Sequence, residues 1–386
     1  VNEMKWTPLG PPSPSPLPPP LSVPVAFSGD RGEFFRLVRR GAALEFVTLG
    51  FYRFWLVTDI RRHLWSNTQI DGDAAEYTGR GKELLIGFLF ALAILVPIYL
   101  LYFLAGLEAE RHQAFAGLPL IAFFYLLGQF AIYRARRYRL TRTVWRGVRF
   151  WMDGSGWSYA GRATLWGLLT VSTLGLALPW REAALERHKM RHSWYGDLQG
   201  RFEGQGLEFF KQGWWLWLLA PVAIVVFPLA PFFYAAFKAV QWRWWLSGIR
   251  FGGVQLESTL RRGALHGLYW KVIGWALLLS TVFGLYVFGC TMLVANVSGA
   301  TFEQTIGPSG ISQSIPVLIL TAIGYLALAL ALGVVTRLYL MRDLWVRVLA
   351  STTVRNIAAA ANVSSRGTPA SALGEGFADG LDVAGF

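Results

Sequence analysis

The stretch Thr48-Leu49-Gly50-Phe51-Tyr52-Arg53-Phe54-Trp55 returns 125 residues later as Thr173-Leu174-Gly175-Leu176-Ala177-Leu178-Pro179-Trp180, and the offset holds downstream without a gap. His63 falls on His188, and Tyr77-x-Gly79-x-Gly81-x-Glu83 falls on Phe202-x-Gly204-x-Gly206-x-Glu208. Both copies then run into an apolar segment. Self-similarity at a fixed spacing means that the fold is assembled from a repeated supersecondary unit.

Composition says where such units sit. Of the 386 residues, 54% are hydrophobic and 18 are Trp, more than one soluble core requires. Several apolar runs reach the ~18–20 residues that cross ~30 Å of hydrocarbon. The reading is an all-α polytopic membrane protein with about six transmembrane helices, at 84–104, 118–133, 163–180, 214–237, 272–295 and 315–335. Internal repeats and small cytoplasmic helix-turn-strand modules accompany them.

The formal net charge of +13 raises the question of nucleic acid. The basic residues, however, cluster beside apolar runs and among tryptophans, the distribution expected at an anionic membrane surface, so no nucleic-acid partner is expected. Cys290 is the single cysteine and lies in an apolar run, which excludes an internal disulfide and a cysteine-based metal site.

Along the chain, 1–26 is a Pro-rich stretch that reads as an extended tail. The leading Val1 reads as a translated alternative start codon. Residues 27–350 form the repeat-containing membrane domain. Residues 351–386 read as a flexible tail whose acidic end, Glu375-Gly376-Phe377-Ala378-Asp379, could dock on the chain's own basic face or on a protein partner. The apolar run 41–55 is short for a span and carries Glu45 and Arg53, which suits a segment dipping into the interface.

A smaller motif recurs in the polar segments. Trp145-Arg146-Gly147-Val148-Arg149-Phe150 resembles Leu246-Ser247-Gly248-Ile249-Arg250-Phe251, with Ile70-Asp71-Gly72-Asp73 and Trp194-Tyr195-Gly196-Asp197 as looser members. Each reads as a helix end, a tight turn and a short strand.

Lys and Arg mark the cytoplasmic side. The basic segments 58–83, 134–162, 238–267 and 337–366 are expected inside, with both termini, and 105–116 and 296–314 outside. Six alternating spans then put 181–212 outside despite its six basic residues, Arg181, Arg187, Lys189, Arg191, Arg201 and Lys211. A second arrangement makes 163–180 a membrane dip and 214–237 a re-entrant hairpin, with every module inside. The repeat favours the second and hydropathy the first.

The Thr-Leu-Gly segments, the Trp-Arg-Gly-Val-Arg-Phe module and the C-terminal Glu-Gly-Phe-Ala-Asp-Gly-Leu-Asp-Val resemble the YjgN-type family of bacterial inner-membrane proteins, a family of unknown function. The resemblance covers about 27–350 and departs where 214–237 is shorter than the hairpin 84–133. It implies a multi-pass bacterial inner-membrane protein and no particular activity.

His188 and His192 stand at i, i+4, as a metal pair requires, but a third ligand is missing and His192 falls on Asn67 in the first copy, so no metal is expected. Gly79-x-Gly81 and Gly204-x-Gly206 lack the third Gly of a nucleotide fingerprint and read as turns into membrane helices. No catalytic nucleophile pattern appears, and neither an enzyme nor a cofactor is expected.

What remains is the Arg/Trp surface. An Arg fork pairs bidentately with phosphate, and Trp prefers the headgroup zone. Arg136, Arg137, Arg146, Arg149, Arg243 and Arg250 are the candidates for lipid or phosphate binding, and Trp55, Trp145, Trp180 and Trp245 the candidate interfacial anchors. The expected function is a non-enzymatic envelope or scaffold protein that engages anionic lipid headgroups or a partner. A channel or transporter for an uncharged or lipidic solute is the alternative.

Overall fold

Each of the four polar modules is a helix end followed by a β-hairpin. The hairpins pair β2 (Thr68–Ile70) with β3 (Asp73–Tyr77), β4 (Thr143–Trp145) with β5 (Val148–Met152), β6 (Ser193–Tyr195) with β7 (Leu198–Phe202), and β8 (Ile249–Phe251) with β9 (Val254–Ser258). All four turn over two residues, and the first of these has positive φ in every case: 55° at Asp71, 49° at Arg146, 55° at Gly196 and 55° at Gly252. Two-residue turns of this hand match the twist of antiparallel strands.

A fifth strand pair comes from the two ends of the chain. In this computed structural model, which describes residues 22–111, 117–225, 230–299 and 315–368, β1 (Ser22–Phe27) runs antiparallel to β10 (Thr352–Arg355), with Ser22 opposite Arg355. β1 also pairs with β2, and β10 with β9. The result is a closed antiparallel barrel in the order β1-β10-β9-β8-β7-β6-β5-β4-β3-β2. Its closing strands come from stretches expected as tails. The Pro-rich part up to residue 21 and the acidic C-terminal end lie outside the described residues.

Helical hairpins fill the connections. They are α1 (Arg31–Val47) with α2 (Arg53–Ser66), α3 (Gly81–Arg111) with α4 (Gly117–Thr141), α5 (Gly156–Ser172) with α6 (Leu178–Arg191), and α7 (Gly206–Val225) with α8 (Ala230–Gly248). The last comprises α9 (His266–Ser298) and α10 (Ile315–Thr336), which continues through a π-helical segment, Arg337–Asp343, into α11 (Leu344–Ala350). Because the barrel is antiparallel throughout and closed, its two-residue turns line one rim and its helix junctions the other. All five hairpins therefore leave from the same rim.

One buried cluster takes a residue from every strand: Val25, Ile70, Ala75, Trp145, Phe150, Tyr195, Leu198, Phe251, Val254 and Val354. Only the lumen is shared by all ten strands, so the lumen is a packed core. Beyond β10, Ile357 and Ala360 are buried in the same cluster, with Val363 against it. The Ser364 N–H donates to Asp197 Oδ1 at 3.2 Å, and Asn356 Nδ2 donates to the Gly253 carbonyl at 3.1 Å. This segment caps the turn rim.

The architecture overturns the expected all-α fold with about six spans. Among the described residues three helices are long and apolar enough to cross a membrane: Gly81–Gly106, His266–Val297 and Ile315–Ala350. The expected span 163–180 is broken by the Thr-Leu-Gly bend, where α5 ends at Ser172 and α6 begins at Leu178. The span 214–237 is divided between α7 and α8. The span 118–133 is the first part of α4, whose remainder is the basic tract. The short strands were absorbed into basic segments because three to five residues carry little periodicity of their own.

The two Thr-Leu-Gly bends are one and the same turn. Leu49 and Leu174 both have φ 49°, and Gly50 and Gly175 have φ 90° and 89°. In each, the Thr hydroxyl donates to the carbonyl four residues back and accepts the N–H four residues on. The tips are apolar and bare: Leu49 is 79% exposed and Leu174 95%. Gly81 and Gly206 also share a role. A Cβ on either would lie 2.8 Å from the Cα of Trp55 or Trp180, so helix α3 crosses α2, and α7 crosses α6, through a glycine.

Candidate functional site

Three helix faces converge below the long apolar stretches and above the barrel. On α4, Ile132, Arg136 and Arg139 share a face, at i, i+4 and i+7. On α6 the same spacing aligns Glu182, Glu186 and Lys189, and on α8 Lys238, Gln241, Trp242 and Trp245 follow suit, with Trp244 at the edge. Together they line a pocket of about 230 Å³. It holds four cations against two carboxylates, roofed by three indoles.

The charges are organised around Glu186. Arg136 Nη1 lies 3.2 Å from its carboxylate, and Lys189 pairs with its other oxygen. Burial alone would push this carboxyl up. Lys189 and Arg136 outweigh that, with the Trp245 indole adding to the same side, and hold Glu186 at about 2. Glu182 is pushed upward by burial, against the pull of Lys189 and Arg181. Lys238 Nζ donates to Gln241 Oε1 at 2.9 Å and stands over the Tyr234 ring.

A second cavity, of about 330 Å³, lies on the barrel axis and shares Arg136 and Trp245 with the first. Every helix that leads into a strand contributes to it: Trp65 from α2, Leu140 from α4, Met190 from α6, Trp245 from α8 and Trp345 from α11. The barrel supplies Thr68, Ala75, Thr143, Phe150, Ser193, Ile249 and Phe251. Its hydroxyls are turned back onto the helices, since Thr68, Thr143 and Ser193 each donate to a carbonyl four residues earlier. The Trp65 and Trp345 indoles donate to Thr143 and Thr68. Arg136 aside, what faces the space is apolar.

Of the residues singled out from sequence, Arg136 and Trp245 reach this site. Arg137, one residue on from Arg136, is not in its lining. The other arginines tie the scaffold. Arg146 bridges to Asp71 at 2.7 Å and to Asp73, joining two hairpins at the turn rim. Arg149 donates to the Thr141 carbonyl at 2.6 Å, and burial followed by the nearby Arg142 lowers its pKa. Arg243 donates to Gln212 Oε1 at 3.0 Å. Arg250 meets Glu203 at 3.1 Å and donates to the carbonyls of Ser247, Ile249 and Leu256.

Trp145 is 7% exposed inside the lumen, so it is a core residue and not an interfacial anchor. Trp55 and Trp180 are partly exposed at the starts of α2 and α6. The sequence reading missed Arg139, Lys189, Lys238, Glu182 and Glu186. Their i, i+4, i+7 spacing was visible, but nothing in it says that α4, α6 and α8 meet.

The His188 and His192 rings are 4.8 Å apart. His188 packs against Tyr133 and Tyr159, and His192 Nδ1 meets Asp153 Oδ1 at 2.7 Å. Among the described residues no group of three His, Cys, Asp or Glu side chains gathers as a metal site.

The fold and site define a barrel-based protein carrying helical hairpins, and among the described residues three helices are long and apolar enough to cross a membrane. The model of a family described as bacterial protein of unknown function (DUF898) matches residues 22–240, and the chain belongs to that family. No curated protein and no solved structure matches it.

Proposed function

We propose that this is a non-enzymatic inner-membrane protein that holds anionic lipid headgroups in the pocket between α4, α6 and α8, in an envelope or scaffold role. In this reading the barrel and both termini are cytoplasmic. The hairpin α9/α10 crosses the bilayer and returns, α3 crosses it with the apolar first part of α4 bringing the chain back, and the short hairpins α1/α2 and α5/α6 dip into it with their apolar tips.

The observation that carries the reading is the pocket's position and charge. It lies where the apolar halves of α4 and α8 give way to cations and indoles, which is headgroup depth for a helix anchored by Trp, Lys and Arg. Four cations against two carboxylates leave a positive excess for a phosphate. A channel through the barrel finds no support in a lumen filled by side chains from all ten strands.

The test is lipid co-purification. Protein extracted in mild detergent and analysed by mass spectrometry is expected to carry anionic phospholipid above its share of the bulk membrane. In Arg139→Ala/Lys238→Ala, with an unchanged thermal midpoint, this enrichment should fall about tenfold, as loss of a charge-assisted contact of ~1.4 kcal/mol implies. Equal enrichment in both proteins would sink the proposal.

A further inference from the structure

The axial cavity is not explained by headgroup binding. It lies beside the cation pocket, shares two side chains with it, and is otherwise lined by apolar groups and by hydroxyls already bonded to helix carbonyls. An ordered water needs two to four polar partners, which such a lining does not offer. An alkyl chain needs none. Arg136 is the one charged residue in the axial lining, and its guanidinium leads straight to Glu186 in the cation pocket.

We infer that the two cavities form one binding site for a single-chain anionic amphiphile, its alkyl chain in the axial cavity and its anionic head against Arg139, Lys189 and Lys238. This rests on the headgroup reading above and adds the chain to it. In this reading the chain enters from the bilayer. α5 and α6 have 17 and 14 residues against 31 in α3, so at 1.5 Å per residue the hairpin between α4 and α7 stops about 20 Å short of the tip of α3. Above that point the hairpin no longer stands between α4 and α7, which in this reading leaves a lateral route from the bilayer. A molecule with two acyl chains would leave one outside, because the axial space is closed below by the packed lumen.

The charge and the chain are tested separately. Delipidated full-length protein in nanodiscs of zwitterionic lipid is titrated with laurate, dodecanol and inorganic phosphate, with stoichiometry read by native mass spectrometry. Laurate is expected to bind once per chain, and dodecanol at least about tenfold more weakly for want of the charged contacts. Leu140→Trp and Ala75→Phe each fill the axial cavity from a different element and leave the cation pocket untouched.

Either variant should lose laurate binding while keeping the anionic phospholipid enrichment, which also reports that it has folded. Laurate binding unchanged in both variants, or absent from the parent protein, overturns the inference and leaves the headgroup proposal standing. Loss of both laurate and phospholipid in Arg139→Ala/Lys238→Ala supports the shared site. Dodecanol binding as tightly as laurate overturns it.

Discussion

At Leu49 and Leu174 a branched side chain sits in left-handed backbone, with Gly50 and Gly175 next to it at still larger φ. Left-handed backbone costs an L-residue roughly 1–2 kcal/mol, so the motif holds strain that only its glycine avoids. Gly175→Ala is expected to destabilise by about that amount, although open space surrounds the position. Leu174→Gly relieves strain and removes a bare apolar side chain, and should leave the thermal midpoint in detergent unchanged or higher. A midpoint lowered equally by both would refute the backbone account. His188 gives a second residue-scale prediction. Burial, reinforced by Arg162, His192 and Arg191, lowers its pKa from 6.5 to about 4, so the folded protein keeps it neutral where the unfolded chain protonates it. The unfolded state therefore binds more protons between these values, and stability falls as pH drops from 6.5 towards 4. His63, its counterpart at the 125-residue offset, is lowered by burial too and acts with the same sign. His188→Phe keeps a ring between Tyr133 and Tyr159 and should flatten part of the acid limb of a midpoint-against-pH curve; an unaltered slope counts against the assignment.

Charges inside the short hairpin α1/α2 are settled by neighbouring elements. Glu45, 2% exposed in the last turn of α1, accepts two bonds of 3.0 Å from Arg337, where α10 passes into the π-helical segment. Arg53 at the start of α2 lies over the Phe54 and Phe88 rings. A segment expected to dip into the interface thus keeps a carboxylate and a guanidinium only because a long hairpin stands beside it, as α1 packed against α10 shows. Removing one partner of a buried pair leaves the other charge uncompensated, at a cost of about 3–5 kcal/mol, whereas replacing both by apolar groups of similar volume is often neutral. Glu45→Leu and Arg337→Met should accordingly each destabilise strongly, and Glu45→Leu/Arg337→Met should recover most of the loss. The double-mutant cycle is read from thermal midpoints in detergent; additive losses would mean that the pair does not couple α1 to α10. The strand pairs show a similar dependence on partners. At three to six residues each they are too short to stand alone, and closure through β1 and β10 gives every one of them two neighbours.

For the whole molecule, the sequence carried its parts better than their assembly. The Gly-x-Gly entries to α3 and α7 and the tight turns at Asp71-Gly72 and Arg146-Gly147 were legible because each depends on local backbone chemistry, whereas the Thr-Leu-Gly bend lay hidden in the apolar run 163–180. The barrel was not, because pairing Val23 with Val354 leaves no mark on either segment's own pattern, and strands of three residues show no alternation. The site was half legible for the same reason: Arg136 and Trp245 stood out by composition, while Lys238 and Glu182 gain meaning only when the barrel sets α4, α6 and α8 side by side. Under the proposed membrane reading, closure favours the arrangement that keeps every polar module on one side. Every helical connection starts and ends on one rim, so each crosses a bilayer an even number of times or not at all, and all four hairpin turns share a side. In the proposed reading that side is the cytoplasmic one, since the basic tracts adjoin the strands. At 33 residues α9 extends about 50 Å, enough to carry Gly299 across ~30 Å of hydrocarbon. In a Cys290→Ser background, single cysteines at Asp71, Asp197 and Gly253 should resist a membrane-impermeant maleimide in intact cells and react after permeabilisation, while Gly299→Cys reacts in both. Labelling of Asp197→Cys in intact cells would put the third hairpin outside, which a closed antiparallel barrel on one face of the membrane forbids.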